Sequence, residues 1–200
     1  MTTLLASRHD DIPPLAWVCE VPRQDDSVLH CGNGVVLDEN AFFEGAWAGS
    51  YHDRGFGRCT NVFGSGGVVQ GQSALFVTPS HTTEGLYVLA EAARHVVSNS
   101  LAFLLTYCGE VLPPSNWRYG ELFYSIVSGL EASPTRIPLE GCELLVVYHH
   151  NFAIHGADLE LAPKPLPPNF ADYAAWPGRA ARATRRPSSS PAECRVPTST

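Results

Sequence analysis

The stretch Glu84–Cys108, EGLYVLAEAARHVVSNSLAFLLTYC, decides the fold. Its first half admits two readings. As strands, Gly85–Leu89 and His95–Ser98 make a hairpin joined by Ala90–Arg94. As a helix, residues 83–97 offer good helix formers with apolar spacing that partly fits a 3.6-residue period. The hairpin is preferred and the helix stands as its competitor. The second half is a short capped helix. Ser98 or Ser100 serves as N-cap, Leu101, Leu104 and Leu105 share one face, and Gly109 sits where a helix wants its C-cap. Two strands feeding a helix place the chain among α+β proteins.

Working outward, strand signals recur on both sides. Leu15–Val21 (LAWVCEV) is a continuous apolar run between Pro14 and Pro22, the pattern of a buried strand. Val28–Leu37 reads as two short strands around Gly32-Asn33-Gly34, a hairpin signal because Asn and Gly tolerate positive φ. Ala41–Gly49 mixes aromatics with glycines, and Tyr51–Arg58 reads as a loop. Residues 60–70 read as strand, Gly-rich turn, strand. Ser73–Pro79, Leu122–Val127 and Cys142–Tyr148 read as strands, the segment between the last two as turn-rich, and Asn151–Leu161 as one further edge strand. The expected fold is α+β, a strand-rich layered domain with one or two short helices. Residues 1–162 form the globular domain, preceded by no strand before Leu15. Residues 163–176 form a Pro-rich linker and the start of a helix at Ala171–Trp176. Residues 177–200 hold too few large apolar side chains to offset their ordering entropy and read as disordered.

Composition narrows the function classes. The 200 residues are 44% hydrophobic and 16% charged, with a net charge of −7. The low charged share against a typical quarter suggests covered faces or a missing partner. The negative balance argues against nucleic-acid binding, which usually needs a basic face. Charge is uneven: residues 1–178 carry 19 acidic and 8 basic side chains, whereas residues 179–200 carry five arginines against Glu193. Lys164 is the only lysine, which fits a GC-rich bacterial coding sequence. No signal peptide and no apolar run long enough to span a bilayer is legible, so a cytoplasmic setting is expected. None of the six cysteines forms a CxxC pair, and no cofactor or metal site is expected.

Each motif has a plain structural alternative. Ser65-Gly66-Gly67 is a weak phosphate-binding candidate, because glycine amides approach an anion closely. It lacks the lysine of a P-loop, and a hairpin turn explains it better. His149 and His150 alternate across a strand and cannot easily share one metal. A site on His30 and Cys31 would need distant partners. Cys108 and Cys142 read as inert packing. Glu44, between Phe43 and Gly45 in an aromatic segment, is the unusual carboxylate. If buried it must be paired or neutral, and a structural hydrogen bond is the plainer account. With Trp47 and Tyr51 it forms a weak ligand-binding candidate. Phe42, Phe43, Trp47, Tyr51 and Phe56 are more simply core.

Glu84–Leu89 followed by Arg94–Leu105 resembles the strand, strand and helix of asparagine-synthetase-like proteins. Phe43–Trp47 and Ala74–Thr78 sit where that family has two earlier strands, and Gly129–Tyr148 matches a later connection and strand. The resemblance spans roughly residues 40–150. It implies an N-terminal-nucleophile-type sandwich of sheets and helices, related to glutamine amidotransferase domains. Departures matter: the family's N-terminal cysteine is absent, and Thr78-Pro79 replace its Arg-Asp pair. Thr2 would be N-terminal after Met removal and is the alternative nucleophile of an amidohydrolase, although a disordered start is the preferred reading of this segment. The resemblance therefore implies a non-catalytic module that organises an ATP-pyrophosphatase-type, amide-forming domain in asparagine biosynthesis. Such a chain would be truncated before that domain, with its Arg-rich end a frameshift product. A homo-oligomer and a stand-alone small-ligand-binding domain remain the rivals.

Overall fold

A computed structural model describes residues 3–47, 49, 55–59, 61–114, 120, 133–140 and 142–164. Thirteen strands, one α-helix and one short 3-10 helix account for most of them. In chain order the strands are β1 (Leu4–Arg8), β2 (Trp17–Pro22), β3 (Ser27–Cys31), β4 (Val36–Asp38), β5 (Ala41–Trp47), β6 (Val62–Gln70) and β7 (Ser73–Val77). They continue as β8 (Leu86–Ala90), β9 (Arg94–Ser98), β10 (Thr135–Pro138), β11 (Glu143–Val147), β12 (His150–His155) and β13 (Asp158–Pro163). Helix α1 spans Leu101–Cys108, and the 3-10 helix spans Gly55–Arg58.

These elements build an α+β layered sandwich. One sheet has seven strands in the order β1-β3-β2-β9-β8-β11-β10, and the other six in the order β13-β12-β7-β6-β5-β4. The core between them draws Trp17, Cys19, Leu29, Val88 and Val97 from the first sheet and Phe42, Phe76, Phe152 and Ile154 from the second. Trp17 is its centre, edge-on to Phe42 at 4.8 Å and stacked on Phe76 at 6.1 Å. Rings of this size dominate core energetics because each buries so much apolar area. Strand alternation sends the neighbouring residues the other way. Val18, Val96, Leu144 and Val146 meet Leu104 of α1 on the outer face of the seven-stranded sheet. Phe43, Val62 and Val77 meet Phe56 of the 3-10 helix on the outer face of the six-stranded sheet.

The deciding stretch folds as a hairpin and a helix. β8 and β9 pair antiparallel, with Val88 opposite Val97, and the helical reading of residues 83–97 is discarded. β-Branched Val88, Val96 and Val97 suit a pleated surface covered on both sides. Ser100 is the N-cap, its Oγ accepting from the Phe103 amide at 3.3 Å. Gly109 closes the helix at φ 71° in the left-handed region, which glycine adopts without a Cβ penalty. Of the three leucines only Leu104 is fully buried; Leu101 and Leu105 pack partly on the same cluster.

Several expectations are corrected. Residues 62–70 are one continuous strand, not a turn between two. The glycines there make room: a Cβ on Gly66 would lie 2.2 Å from the Phe42 carbonyl, and one on Gly67 3.0 Å from the Phe42 ring. Gly32–Gly34 does not close a hairpin, since β3 and β4 belong to different sheets. The Gly32 and Gly34 amides are given to the Ala16 and Pro14 carbonyls, which pins the turn to the approach of β2. The N-terminal segment is ordered as β1, parallel to β3, and the Asp26 carboxylate holds the Thr3 amide at 2.7 Å. β10 falls in the segment read as turn-rich. Asn151–Leu161 is two strands, of which β12 is internal and β13 the edge. β13 extends to Pro163, and Lys164 beyond it is buried, so the linker does not begin at 163. The expected strand at 122–127, the helix start at 171–176 and the tail at 177–200 lie outside the described residues.

Candidate functional site

The buried carboxylate singled out by sequence lies between the two sheets. β5 and β6 pair with Glu44 opposite Ser65, both facing the seven-stranded sheet. Glu44 Oε1 accepts from the Ser65 amide and from Ser65 Oγ, each at 2.8 Å. Ser65 Oγ in turn accepts from Trp17 Nε1 at 3.2 Å, across the sandwich. Trp17 is also held through its backbone, whose amide donates to Asn99 Oδ1 at 2.9 Å. Asn99 Nδ2 donates to the Leu15 carbonyl. Burial pushes the Glu44 carboxyl above the ordinary range, the two Ser65 hydrogen bonds pull it back, and Glu84 adds to the rise. A carboxylate held this way fastens one sheet to the other.

One step beyond this pair, Gly45 and Gly64 face each other at φ +107° and +119°. A Cβ on either would lie about 2 Å from the partner strand's carbonyl oxygen, at 2.0 and 1.9 Å respectively. Their backbones therefore approach where no other residue fits.

The weak ligand-binding set is not brought together. Glu44 faces the interior, while Trp47 packs with Phe43 and Phe56 on the opposite face of the six-stranded sheet, at ring distances of 4.6 and 5.3 Å. Tyr51 lies outside the described residues. The space beside Phe42, Phe43, Trp47 and Phe56 amounts to about 10 Å³, room for one water at most. The weak phosphate set, Ser65, Gly66 and Gly67, lies inside β6 between β5 and β7. The turn that would cradle a phosphate is not formed, and the Ser65 amide is committed to Glu44.

Three other polar clusters escaped sequence reading. On the outer face of the six-stranded sheet, Ser73 Oγ and His155 Nδ1 lie 2.9 Å apart as a cross-strand pair. They border an open groove of about 340 Å³ with Arg58, Gln70 and Leu75. Beneath α1, Glu20 binds both the Arg94 guanidinium and, at 2.9 Å, the Tyr107 hydroxyl. Burial and then Glu20 push the Tyr107 hydroxyl up to about 12. The third cluster surrounds Lys164, 5% exposed, whose Nζ donates to the Thr78 carbonyl. Near it are His149, whose carbonyl accepts the Lys164 amide, and Cys59, while Asn151 Nδ2 donates separately to the Gly57 carbonyl. Thr78 Oγ1, His149 Nε2 and Asn151 Oδ1 are buried without partners among the described residues.

The remaining sequence candidates are placed plainly. His30 Nδ1 lies 2.9 Å from His9 Nε2 and its ring lies 5.5 Å from that of Tyr107. Among the described residues no group of three His, Cys, Asp or Glu side chains is arranged to hold a metal. Burial raises the thiols of Cys31, Cys108 and Cys142, that of Cys108 to about 11, which suits packing and not nucleophilic chemistry. Among the described residues no helix is long and apolar enough to cross a membrane. No family model, no curated protein and no solved structure matches this chain.

Proposed function

We propose that residues 3–164 are a non-catalytic module of an asparagine-synthetase-like protein, organising an ATP-pyrophosphatase-type partner domain that forms an amide bond. The observation that supports this reading is the β8–β9–α1 unit. The sequence whose resemblance suggested the family forms a strand, a strand and a capped helix, and that helix lies on the outer face of one sheet of a two-sheet sandwich. The Glu44–Ser65–Trp17 chain supports a scaffold role as well. Its polar atoms are spent on one another across the sheets, where a catalytic carboxylate would face an open site.

A second reading rests on Ser73 and His155, a hydroxyl within hydrogen-bond reach of an imidazole beside an open groove. That meets the first requirement of a serine hydrolase. The cross-strand register already accounts for the contact, and His155 is exposed. The aromatic ligand pocket gains no support from a space of about 10 Å³. Thr2 lies outside the described residues.

The test is titration calorimetry and turnover on the folded chain with ATP, glutamine and asparagine, together with an activated ester. ATP binding or amide turnover would overturn the non-catalytic reading. Ester cleavage lost in Ser73→Ala would favour the second. Silence in every arm, together with binding to an added ATP-pyrophosphatase-type domain, is the expected result.

A further inference from the structure

We propose that Lys164 is a carbon dioxide-accepting site whose Nζ forms a carbamate, held by Thr78 and His149. The argument begins with donor and acceptor counts. An ammonium carries three N–H donors. Among the described residues Lys164 makes one side-chain hydrogen bond, to the Thr78 carbonyl, and no carboxylate pairs with it. Burying such a cation costs far more than burying an amine. Two residues that bond to Lys164 each carry a potential donor that lacks a partner. Thr78 Oγ1 belongs to the residue whose carbonyl holds Nζ. His149, whose carbonyl accepts the Lys164 backbone amide at 3.5 Å, has its Nε2 buried and unpartnered. Unsatisfied buried polar atoms are few in folded proteins, and two of them on residues bonded to one lysine call for an explanation.

A carbamate answers each mismatch. Its nitrogen keeps one N–H for the Thr78 carbonyl. Its two oxygens accept from the Thr78 hydroxyl and from His149 Nε2–H. The step is balanced without an oxidant or reductant: the amine lone pair attacks the carbon of CO2, the N–C bond forms, one C–O π pair moves onto oxygen, and one proton leaves Nζ for solvent. The geometry also selects the reagent. With Lys164 only 5% exposed, a small uncharged electrophile reaches Nζ more readily than a bulky carbonyl compound. The amine is available at neutral to mildly alkaline pH, because burial brings Lys164 down from 10.5 to about 8, with Cys59 opposing that fall. His149 is lowered by burial, then by Lys164 and His150. Replacing the ammonium by an anion reverses the sign of the Lys164 contribution.

The test uses the full chain near pH 8 in carbon-13 bicarbonate. Triethyloxonium trapping is followed by peptide mass spectrometry. Lys164 is the only lysine, so the α-amine is the one other site able to carry the label. A parallel sample in urea supplies the unfolded reference, where an ordinary lysine is almost wholly protonated. Labelling of Lys164 in the folded chain is expected to exceed the unfolded reference by about a hundredfold, the ratio of neutral amine set by pKa values near 8 and 10.5. Lys164→Arg removes it and leaves the α-amine signal. In bicarbonate the His149 imidazole titrates at higher pH than in CO2-free buffer, read by NMR. Label confined to the α-amine, or equal in folded and unfolded samples, would overturn the proposal.

Discussion

Replacing Ser65 by alanine tests the cross-sheet fastener directly. The substitution removes the hydroxyl that donates to Glu44 and accepts from Trp17, in a residue 1% exposed. The stranded Trp17 Nε1–H costs about 1–3 kcal/mol, and a lost hydrogen bond to a carboxylate about 1.5–3 kcal/mol. Because the Ser65 amide still holds Oε1, the lower parts of both ranges apply, and a loss of about 3 kcal/mol is expected. For a domain of this size that lowers Tm by roughly 10 °C. The pH dependence adds a second constraint. The folded Glu44 pKa is raised above its unfolded value of 4.5, so its carboxyl contributes more stability when protonated and less as pH rises through the folded value. Ser65 opposes that rise, so its removal pushes Glu44 further up and the deficit grows toward neutral pH. Urea unfolding of both proteins at roughly pH 4.5 and pH 8 measures this. A deficit below about 1 kcal/mol, or one of equal size at both pH values, would refute the reasoning.

Further substitutions probe other parts of the sandwich. Gly64→Ala places a Cβ 1.9 Å from the Glu44 carbonyl at φ +119° and should cost at least about 3 kcal/mol. Gly71→Ala, at φ +60° with open space around it, should cost only about 1 kcal/mol by the same denaturant assay. Glu20→Gln removes the partner that helps hold the Tyr107 hydroxyl at about 12, and ultraviolet titration should show one tyrosine moving down toward 10. Stability should then fall less steeply between roughly pH 10 and 12, where a raised phenol favours the fold only while neutral. Cys19 and Cys31, both buried with thiols raised by burial, should react with a disulfide reagent no faster than global unfolding, behind half-buried Cys59.

Local signals that carry their own mechanism were legible. The caps at Ser100 and Gly109, the apolar run over β2 and the β8–β9 hairpin each follow from a few consecutive residues. Signals that depend on what lies across the sheet were not. Residues 64–67 read as a turn because glycine permits one, yet Gly64 is glycine to admit the Glu44 backbone, and Gly66 and Gly67 to admit the backbone and rings of Phe42 and Phe43 from β5. Gly32–Gly34 read as a hairpin, although its amides answer to Pro14 and Ala16. β1 was hidden because its partner, β3, binds it in parallel after an intervening strand. At the candidate site, sequence isolated Glu44 and named a structural hydrogen bond as its plainer explanation, while the donor, Ser65, was placed in a different role. Lys164 was invisible for the same reason: its surroundings come from residues 59, 78 and 149.

The pairing of β2 with β9 sets an order of events during synthesis. Trp17 and Asn99, which fix that junction, are 82 residues apart in the chain. Between them the ribosome delivers β4 to β7, most of the other sheet, whose partners are near neighbours. Loop-closure entropy favours these short-range pairings first. The inner face of Phe42 and Phe76 is therefore exposed while β1 to β3 wait for the β8–β9 hairpin to dock. Until Ser98 Oγ reaches the Trp17 carbonyl, the nascent chain presents a broad apolar surface, and a chaperone at the ribosome would have most to protect during that interval.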